Sequence, residues 1–121
     1  MTKATFKVVN RCGIHARPAA FFAEIACSFE SKIQLKANGK IIDAKSMLMI
    51  MSMGLFKGTE ITLVANGPDE WEAVNTLARI VCYGFGEDVE EYCEPKITSD
   101  TVRKVSENDI PSHIRAKIGI R

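Results

Sequence analysis

Hydrophobic and polar residues alternate in several short stretches, as they do in strands with one buried face. The apolar positions of this pattern are Ala4, Phe6, Val8, Ile33, Leu35, Ala37, Ile61 and Leu63. The pair Asn38-Gly39 predicts a type I′ turn into a further strand over residues 40–43, because both residue types tolerate positive φ. The chain therefore predicts four strands, of which the last covers residues 60–64.

Three other segments carry apolar residues at helical spacing. A helix is predicted from about Ala16 to Ser28, and its inward residues are Ala19, Phe22, Ala23 and Ala26. A short helix follows Ser46, and a third begins near Asp69, with the buried stripe Trp71, Val74, Leu77, Ala78 and Val81. The order β-α-β-β-α-β-α predicts an α+β open-faced sandwich: a four-stranded antiparallel sheet with three helices on one face.

Composition limits the class of protein. At 121 residues the chain suits one modest core. Its longest uncharged apolar run, Ser46 to Phe56, is far shorter than the roughly 20 residues that a membrane helix needs. Because no apolar stretch follows Lys3 either, we expect no signal peptide, no membrane insertion and a cytoplasmic location. The net charge of +1 is too small to favour nucleic acid as a partner.

The chain divides at residue 86. Residues 1–86 are predicted to form the folded domain, and residues 87–121 a C-terminal extension that opens with an acidic run. A disordered tail and a segment that docks on its own or a neighbouring subunit both fit the extension. The argument for docking is that several residues are too apolar for a tail that only meets solvent; they are Ile97, Val102, Val105, Ile110, Ile114, Ile118 and Ile120. The sequence does not decide between the two. His113 is interpreted as a surface or tail residue.

The four cysteines show no metal-ligand spacing, so free thiols are expected in a reducing compartment. Cys27 and Cys82 fall on apolar helix faces and are predicted to pack in the core. Cys12 lies three residues before His15, but too few ligands accompany the two residues to favour a metal site. No metal and no cofactor are expected.

Residues 13–19, Gly-Ile-His-Ala-Arg-Pro-Ala, place His15, Arg17 and Pro18 where a loop becomes the first helix. A helix start attracts anions because its N–H groups are unpaired and the macrodipole is positive there. Histidine offers a nucleophilic ring nitrogen, and arginine offers a planar charged fork for phosphate oxygens. A lone histidine would more often be a cap or merely exposed. In this context the pattern indicates a phosphoryl group carried on His15.

This stretch resembles the active-site motif of HPr, the histidine-containing phosphocarrier family of the bacterial phosphoenolpyruvate-dependent sugar phosphotransferase system. Residues 45–54 are similar to the segment around that family's regulatory serine, here Ser46, and the resemblance covers roughly residues 3–86. It implies that His15 accepts a phosphoryl group from enzyme I and passes it to sugar-specific EIIA domains, while Arg17 stabilises the phosphate. Such a protein is a phosphoryl relay rather than a true enzyme.

Ser46 has two interpretations. Its hydroxyl is a good N-cap for the short helix, whereas the resemblance implies phosphorylation by an HPr kinase/phosphorylase. Met49 stands where relatives with the regulatory serine commonly have glycine. An alternative function follows, in which Ser46-phosphorylated protein is a regulatory module that binds a transcription factor, without a role in sugar transport.

The short helix is apolar almost all round, so one face cannot bury all of its side chains. If Ile50 and Met53 point inward, Met47, Leu48 and Met51 form an exposed patch, which Phe21 of the first helix extends. Methionine-rich surfaces adapt to several partners. The patch is therefore predicted to dock partner proteins, although a helix covered by the C-terminal extension is the alternative.

Overall fold

A computed structural model describes residues 1–86, 89 and 91–99, which contain one antiparallel sheet of five strands. The strands are β1 Thr2–Lys7, β2 Lys32–Ala37, β3 Lys40–Asp43, β4 Glu60–Asn66 and β5 Lys96–Ser99. They lie in the order β3-β2-β4-β1-β5, and every neighbouring pair is antiparallel. The predicted open-faced sandwich is confirmed, but the prediction of four strands was one strand short.

The additional strand β5 comes from the C-terminal extension. It pairs with β1 so that Ile97 lies opposite Ala4, on the face that carries the core. Ile97 is half-buried and packs against that core. An unpaired β1 would expose a row of backbone N–H and C=O groups, which β5 covers. Of the two alternatives for the extension, Lys96–Ser99 follow the second and dock on their own subunit. Residues 100–121, with His113, lie outside the described residues.

The helices are α1 Ala16–Cys27, α2 Met47–Met51 and α3 Glu70–Cys82, and one 3-10 turn follows at Gly84–Gly86. All the predicted inward residues of α1 and α3 are buried, which confirms both helical stripes. They pack on the sheet face formed by alternate strand residues, which include Ala4, Phe6, Ile33, Leu35, Ile61 and Leu63. None of these helices is long and apolar enough to cross a membrane.

The turn between β2 and β3 has the predicted backbone. Asn38 and Gly39 both have positive φ, 51° and 75°, which matches the type I′ geometry of two-residue hairpins. The Asn38 amide also donates to the carbonyl of Met53 at 2.9 Å, so the hairpin is tied to the segment after α2.

The cysteines divide between surface and core. Cys82 is fully buried, as predicted, but Cys27 is exposed, so its assignment to the core was wrong. Cys27 is the last residue of α1 and lies outside the buried stripe of Ala19, Phe22, Ala23 and Ala26. Its thiol lies 3.6 Å from the carbonyl oxygen of Lys45. Cys12 is exposed.

Candidate functional site

The loop between β1 and α1 is held in one conformation by backbone contacts. The N–H of Gly13 donates to the carbonyl of Asn10 at 3.0 Å, and the N–H of Ile14 donates to the carbonyl of Leu55 at 2.8 Å. Gly13 has a φ of 66°, and a Cβ there would collide with the backbone of Leu55 and Phe56. Only glycine fits this position, because it needs both a left-handed backbone and close approach.

His15 is the N-cap residue of α1. Its backbone is extended (φ −91°, ψ −168°), and its carbonyl accepts the helical hydrogen bond from the N–H of Ala19 at 2.9 Å. Its side chain makes no capping hydrogen bond, and the residue is exposed. The imidazole therefore lies at the positive end of the helix without serving as its cap.

The first turn of α1 adds a cation beside His15. Arg17 is exposed on this turn, and no acidic residue lies in the turn to neutralise it. Pro18 is buried at the third helical position, where a missing N–H leaves no intrahelical bond unmade. This end of α1 thus combines a permanent positive charge with unpaired backbone donors, which is an environment for a phosphate.

Asn10 is a site residue that the sequence analysis missed. It is buried, and its amide nitrogen donates to the carbonyl of Gly84 at 2.8 Å. This contact ties the His15 loop to the turn that follows α3. A polar residue directly after the apolar pair Val8-Val9 is the sequence feature that could have drawn attention to it.

Ser46 is the N-cap of α2, as predicted. Its hydroxyl accepts from the N–H of Met49 at 3.3 Å, and its carbonyl accepts from the N–H of Ile50 at 3.1 Å. The serine is half-buried, so part of it faces solvent at the start of the helix. The structural role of Ser46 therefore does not require phosphorylation.

An apolar patch surrounds α2. We define it by its four exposed residues: Leu48 (79% exposed), Phe56 (71%), Met49 (45%) and Met51 (43%). Ile50 and Met53 are buried, as predicted, so the helix does present this face outward. Phe56 and Met49 were not predicted for the patch. Leu55 is buried and its neighbour Phe56 is exposed. Two residues are too few to show a period, so the sequence did not predict that Phe56 faces outward.

Two residues predicted for this patch are less exposed than expected. Met47 and Phe21 are half-buried and pack against the core, so they border the apolar patch instead of standing out from it. Met47 occupies the first turn of α2, which contacts α1, so part of its side chain is covered. The patch lies next to the His15 loop, since the Cα of Phe56 is beside Gly13.

The described part of the chain holds no cluster of side chains that could bind a metal ion. Within residues 1–86, 89 and 91–99, no group of three or more histidine, cysteine, aspartate or glutamate side chains is placed to hold a metal ion. Cys12 and His15 are both exposed on the same loop, without a third such ligand among those residues.

The open-faced sandwich, with an exposed histidine and arginine where a glycine-containing loop enters α1, defines an HPr-like domain. The family model for the HPr component phosphorylation site of the phosphotransferase system matches residues 2–82. The chain belongs to the HPr family, and the family supports a phosphocarrier or HPr-like role.

Solved structures agree with this assignment. HPr-C-His from Thermoanaerobacter tengcongensis is 39% identical, with a TM-score of 0.71; the match covers 74% of this chain and all of that one. HPr from Bacillus anthracis str. Ames is 37% identical over 65% of this chain and 94% of that one, with a TM-score of 0.63. Crh, the catabolite repression HPr of Bacillus subtilis, is 42% identical over 65% of this chain and 94% of that one, with a TM-score of 0.52.

Proposed function

We propose that the protein is a cytoplasmic phosphocarrier of the sugar phosphotransferase system, in which His15 accepts a phosphoryl group from enzyme I and passes it to EIIA domains. The observation that carries this proposal is that His15 is exposed at the N-terminus of α1 and that its imidazole makes no capping hydrogen bond. A ring nitrogen attacks phosphorus as the bond between phosphorus and the donor breaks. The phosphoryl group thereby changes carrier without being lost to water.

Two features of α1 stabilise the phosphoryl group on His15 without preventing its transfer. The N–H groups of the first turn and the guanidinium of Arg17 neutralise part of the phosphate charge. Because His15 and Arg17 are both exposed, water weakens these interactions, so the phosphohistidine stays transferable.

Partner docking is assigned to the apolar patch together with its borders, Phe21 and Met47. Exposed apolar side chains of this density mark protein-binding surfaces, and the methionines adapt to partners of different shape. The link between Gly13 and Phe56 supports this assignment, since a partner bound on the patch reaches the loop of His15. We assign the carrier role to residues 1–86, and residues 87–121 form an extension to it.

The test is phosphorylation of the full chain by enzyme I and phosphoenolpyruvate, followed by intact mass before and after mild acid. The native protein should gain one phosphate that acid removes, and His15→Ala should gain none. The chain has only two histidines, so His113→Ala is the matched control and should behave like the native protein. Absence of acid-labile phosphate on the native protein, with a competent enzyme I, would refute the carrier role.

A second candidate function is regulation through Ser46, supported by the similarity to Crh and by the position of Ser46 beside the apolar patch. An HPr kinase/phosphorylase would add about two negative charges at the start of α2, where the helix dipole tolerates them. The modified protein would then bind a transcription factor. Ser46→Asp should retain a new partner from native lysate that Ser46→Ala does not; equal capture by both variants contradicts this role.

A further inference from the structure

Two cysteines lie against each other on the side of the domain where the C-terminal extension meets the core. Cys82 is the last residue of α3, and Cys93 precedes β5. Their Sγ atoms are 2.7 Å apart, and the backbone N–H of Cys93 donates to the carbonyl of Cys82 at 3.3 Å. Both are free thiols. The backbone contact therefore holds two thiols side by side, as a disulfide requires.

The two thiols differ in access. Cys82 is fully buried, whereas Cys93 is half-buried and its thiol lies 3.4 Å from the carbonyl oxygen of Lys7. Cys93 also lines an open cleft of about 290 Å³, together with Lys7, Glu60, Glu94 and Lys96. A small reagent in this cleft reaches the Cys93 sulfur first.

We propose that Cys82 and Cys93 form a reversible intramolecular disulfide that fastens β5 and the extension to the end of α3. The oxidant is a small-molecule disulfide such as glutathione disulfide. In the first exchange the Cys93 sulfur attacks it, forms a mixed disulfide and releases one molecule of thiol. In the second, the Cys82 thiol gives its proton to the departing glutathione sulfur as its own sulfur attacks the Cys93 sulfur, and the second thiol is released. Two cysteine protons end on the two released thiols, and the oxidant is reduced by two electrons.

The order of these exchanges follows from the surroundings of Cys82. Burial, and then the neighbouring Cys93 thiol, raise the pKa of Cys82, so this thiol stays protonated at neutral pH. A protonated, enclosed thiol does not react with reagents from solution. Cys82 is therefore the resolving residue, which reacts only with a sulfur already placed beside it on Cys93.

The bridge would act on a weakly held element. Strand β5 has four residues, and in the described part of the chain it pairs with β1 alone. Only ten residues, 83–92, separate the two cysteines along the chain, so their disulfide would close a short loop. A disulfide that closes such a short loop limits the opening of the strand next to it.

The experiment uses the full chain with the other two cysteines removed, Cys12→Ser/Cys27→Ser, in a series of glutathione buffers. As the disulfide fraction rises, intact mass should show the loss of two hydrogen atoms, and peptide mapping should join Cys82 to Cys93. Amide hydrogen exchange in Lys96–Ser99 should slow on the order of a hundredfold in the oxidised form. Adding Cys93→Ser to this background is the matched control, and should abolish both effects.

Three outcomes would overturn the proposal. One is a glutathione adduct that stays on Cys93 while Cys82 remains a thiol. Another is no modification of either cysteine at any buffer ratio. The third is a bridge that forms but leaves exchange in β5 unchanged, which would show that the disulfide does not fasten the strand. None of these measurements depends on phosphorylation of His15, so they stand apart from the test of the carrier function.

Discussion

The N–H of Ile14 donates to the carbonyl of Leu55 at 2.8 Å. Ile14 directly precedes His15 in the sequence, and Leu55 directly precedes the exposed Phe56. The loop that carries the histidine and the turn that carries part of the apolar patch are thus hydrogen-bonded to each other. A partner that docks on Phe56 contacts a segment whose backbone also positions His15. The proposed docking surface and the proposed phosphoryl site are therefore parts of one local structure.

Gly13 should be the least replaceable residue of this contact. Gly13→Ala needs a left-handed backbone and puts a Cβ against the Leu55 carbonyl, so we expect a loss of about 2–4 kcal/mol in the free energy of unfolding. Gly58→Ala is the matched control, because Gly58 has a φ of 88° but open space around it, and should cost only about 1 kcal/mol. Urea unfolding of both variants measures the difference, and equal losses would mean that the collision at Gly13 is easily relieved.

Arg17 should act on the phosphoryl group and not on the fold. Arg17→Ala should slow phosphoryl transfer to His15 by about 10-fold to 100-fold, the effect of removing one charged hydrogen-bond donor. Arg17→Lys should lose less, because it keeps the charge without the planar fork. Rapid-quench kinetics with enzyme I measures these rates. Arg11 is an exposed cation in the loop before α1, so Arg11→Ala is the control for a change in general charge. A loss as large as that of Arg17→Ala would argue against a specific role.

The apolar patch should separate binding from stability. Leu48→Ala removes an exposed side chain, so the free energy of unfolding should change by less than about 0.5 kcal/mol while binding to enzyme I weakens. Ile50→Ala, two residues along the same helix, removes a buried side chain and should cost about 2–4 kcal/mol. Titration calorimetry and thermal unfolding check the pair. Unchanged affinity in both Leu48→Ala and Phe56→Ala would show that partners dock elsewhere.

The sequence predicts those features of the fold that depend on residues close together along the chain. The Asn38-Gly39 turn and the stripe of α3 depend on neighbours along the chain, and both are as predicted. Strand β5 could not be predicted in the same way. Its four residues show one step of alternation, and it forms because β1, over 90 positions earlier, offers an open edge.

The candidate site shows the same division. His15 and Arg17 belong to one continuous motif, and the structure places both at the start of α1. Asn10 contributes through a hydrogen bond to Gly84, which lies 74 positions later in the sequence. A local sequence pattern cannot predict a contact between residues so far apart along the chain. Cys27 was predicted to be a core residue because α1 is largely apolar, but it lies one position beyond the last residue of the buried stripe, Ala26, and is exposed.

Ser46 allows its structural role to be tested apart from any regulation. Ser46→Ala removes the acceptor for the N–H of Met49 and should cost about 1 kcal/mol. Ser46→Asp keeps a good capping group and adds a negative charge at the start of α2, so its stability should stay close to that of the native protein. Thermal unfolding measures both. A Ser46→Asp protein as unstable as Ser46→Ala would mean that a phosphate at this position disturbs the fold.

Asp69 should make stability depend on pH. Although burial opposes its ionisation, hydrogen bonds from the Ser31 hydroxyl and the N–H groups of Glu30 and Ser31 lower the pKa of Asp69. The carboxylate thus joins the residue before α3 to the turn before β2. Because its folded pKa lies below the unfolded value of about 3.9, its contribution is complete above that pH and is lost as the pH falls through the folded pKa.

Asp69→Asn tests this assignment. An amide cannot accept from all three donors, so the variant should be less stable than the native protein by about 1–2 kcal/mol at pH 7. The difference should begin to shrink as the pH falls below the unfolded value of about 3.9, and should be lost once the pH is below the lowered pKa of the folded carboxylate. Asp43→Asn is the matched control, since Asp43 is exposed and accepts from the N–H of Lys45, and it should show a smaller change. Urea unfolding across this pH range measures both, and a loss in Asp69→Asn that is independent of pH would mean that the carboxylate charge is not what stabilises the turn.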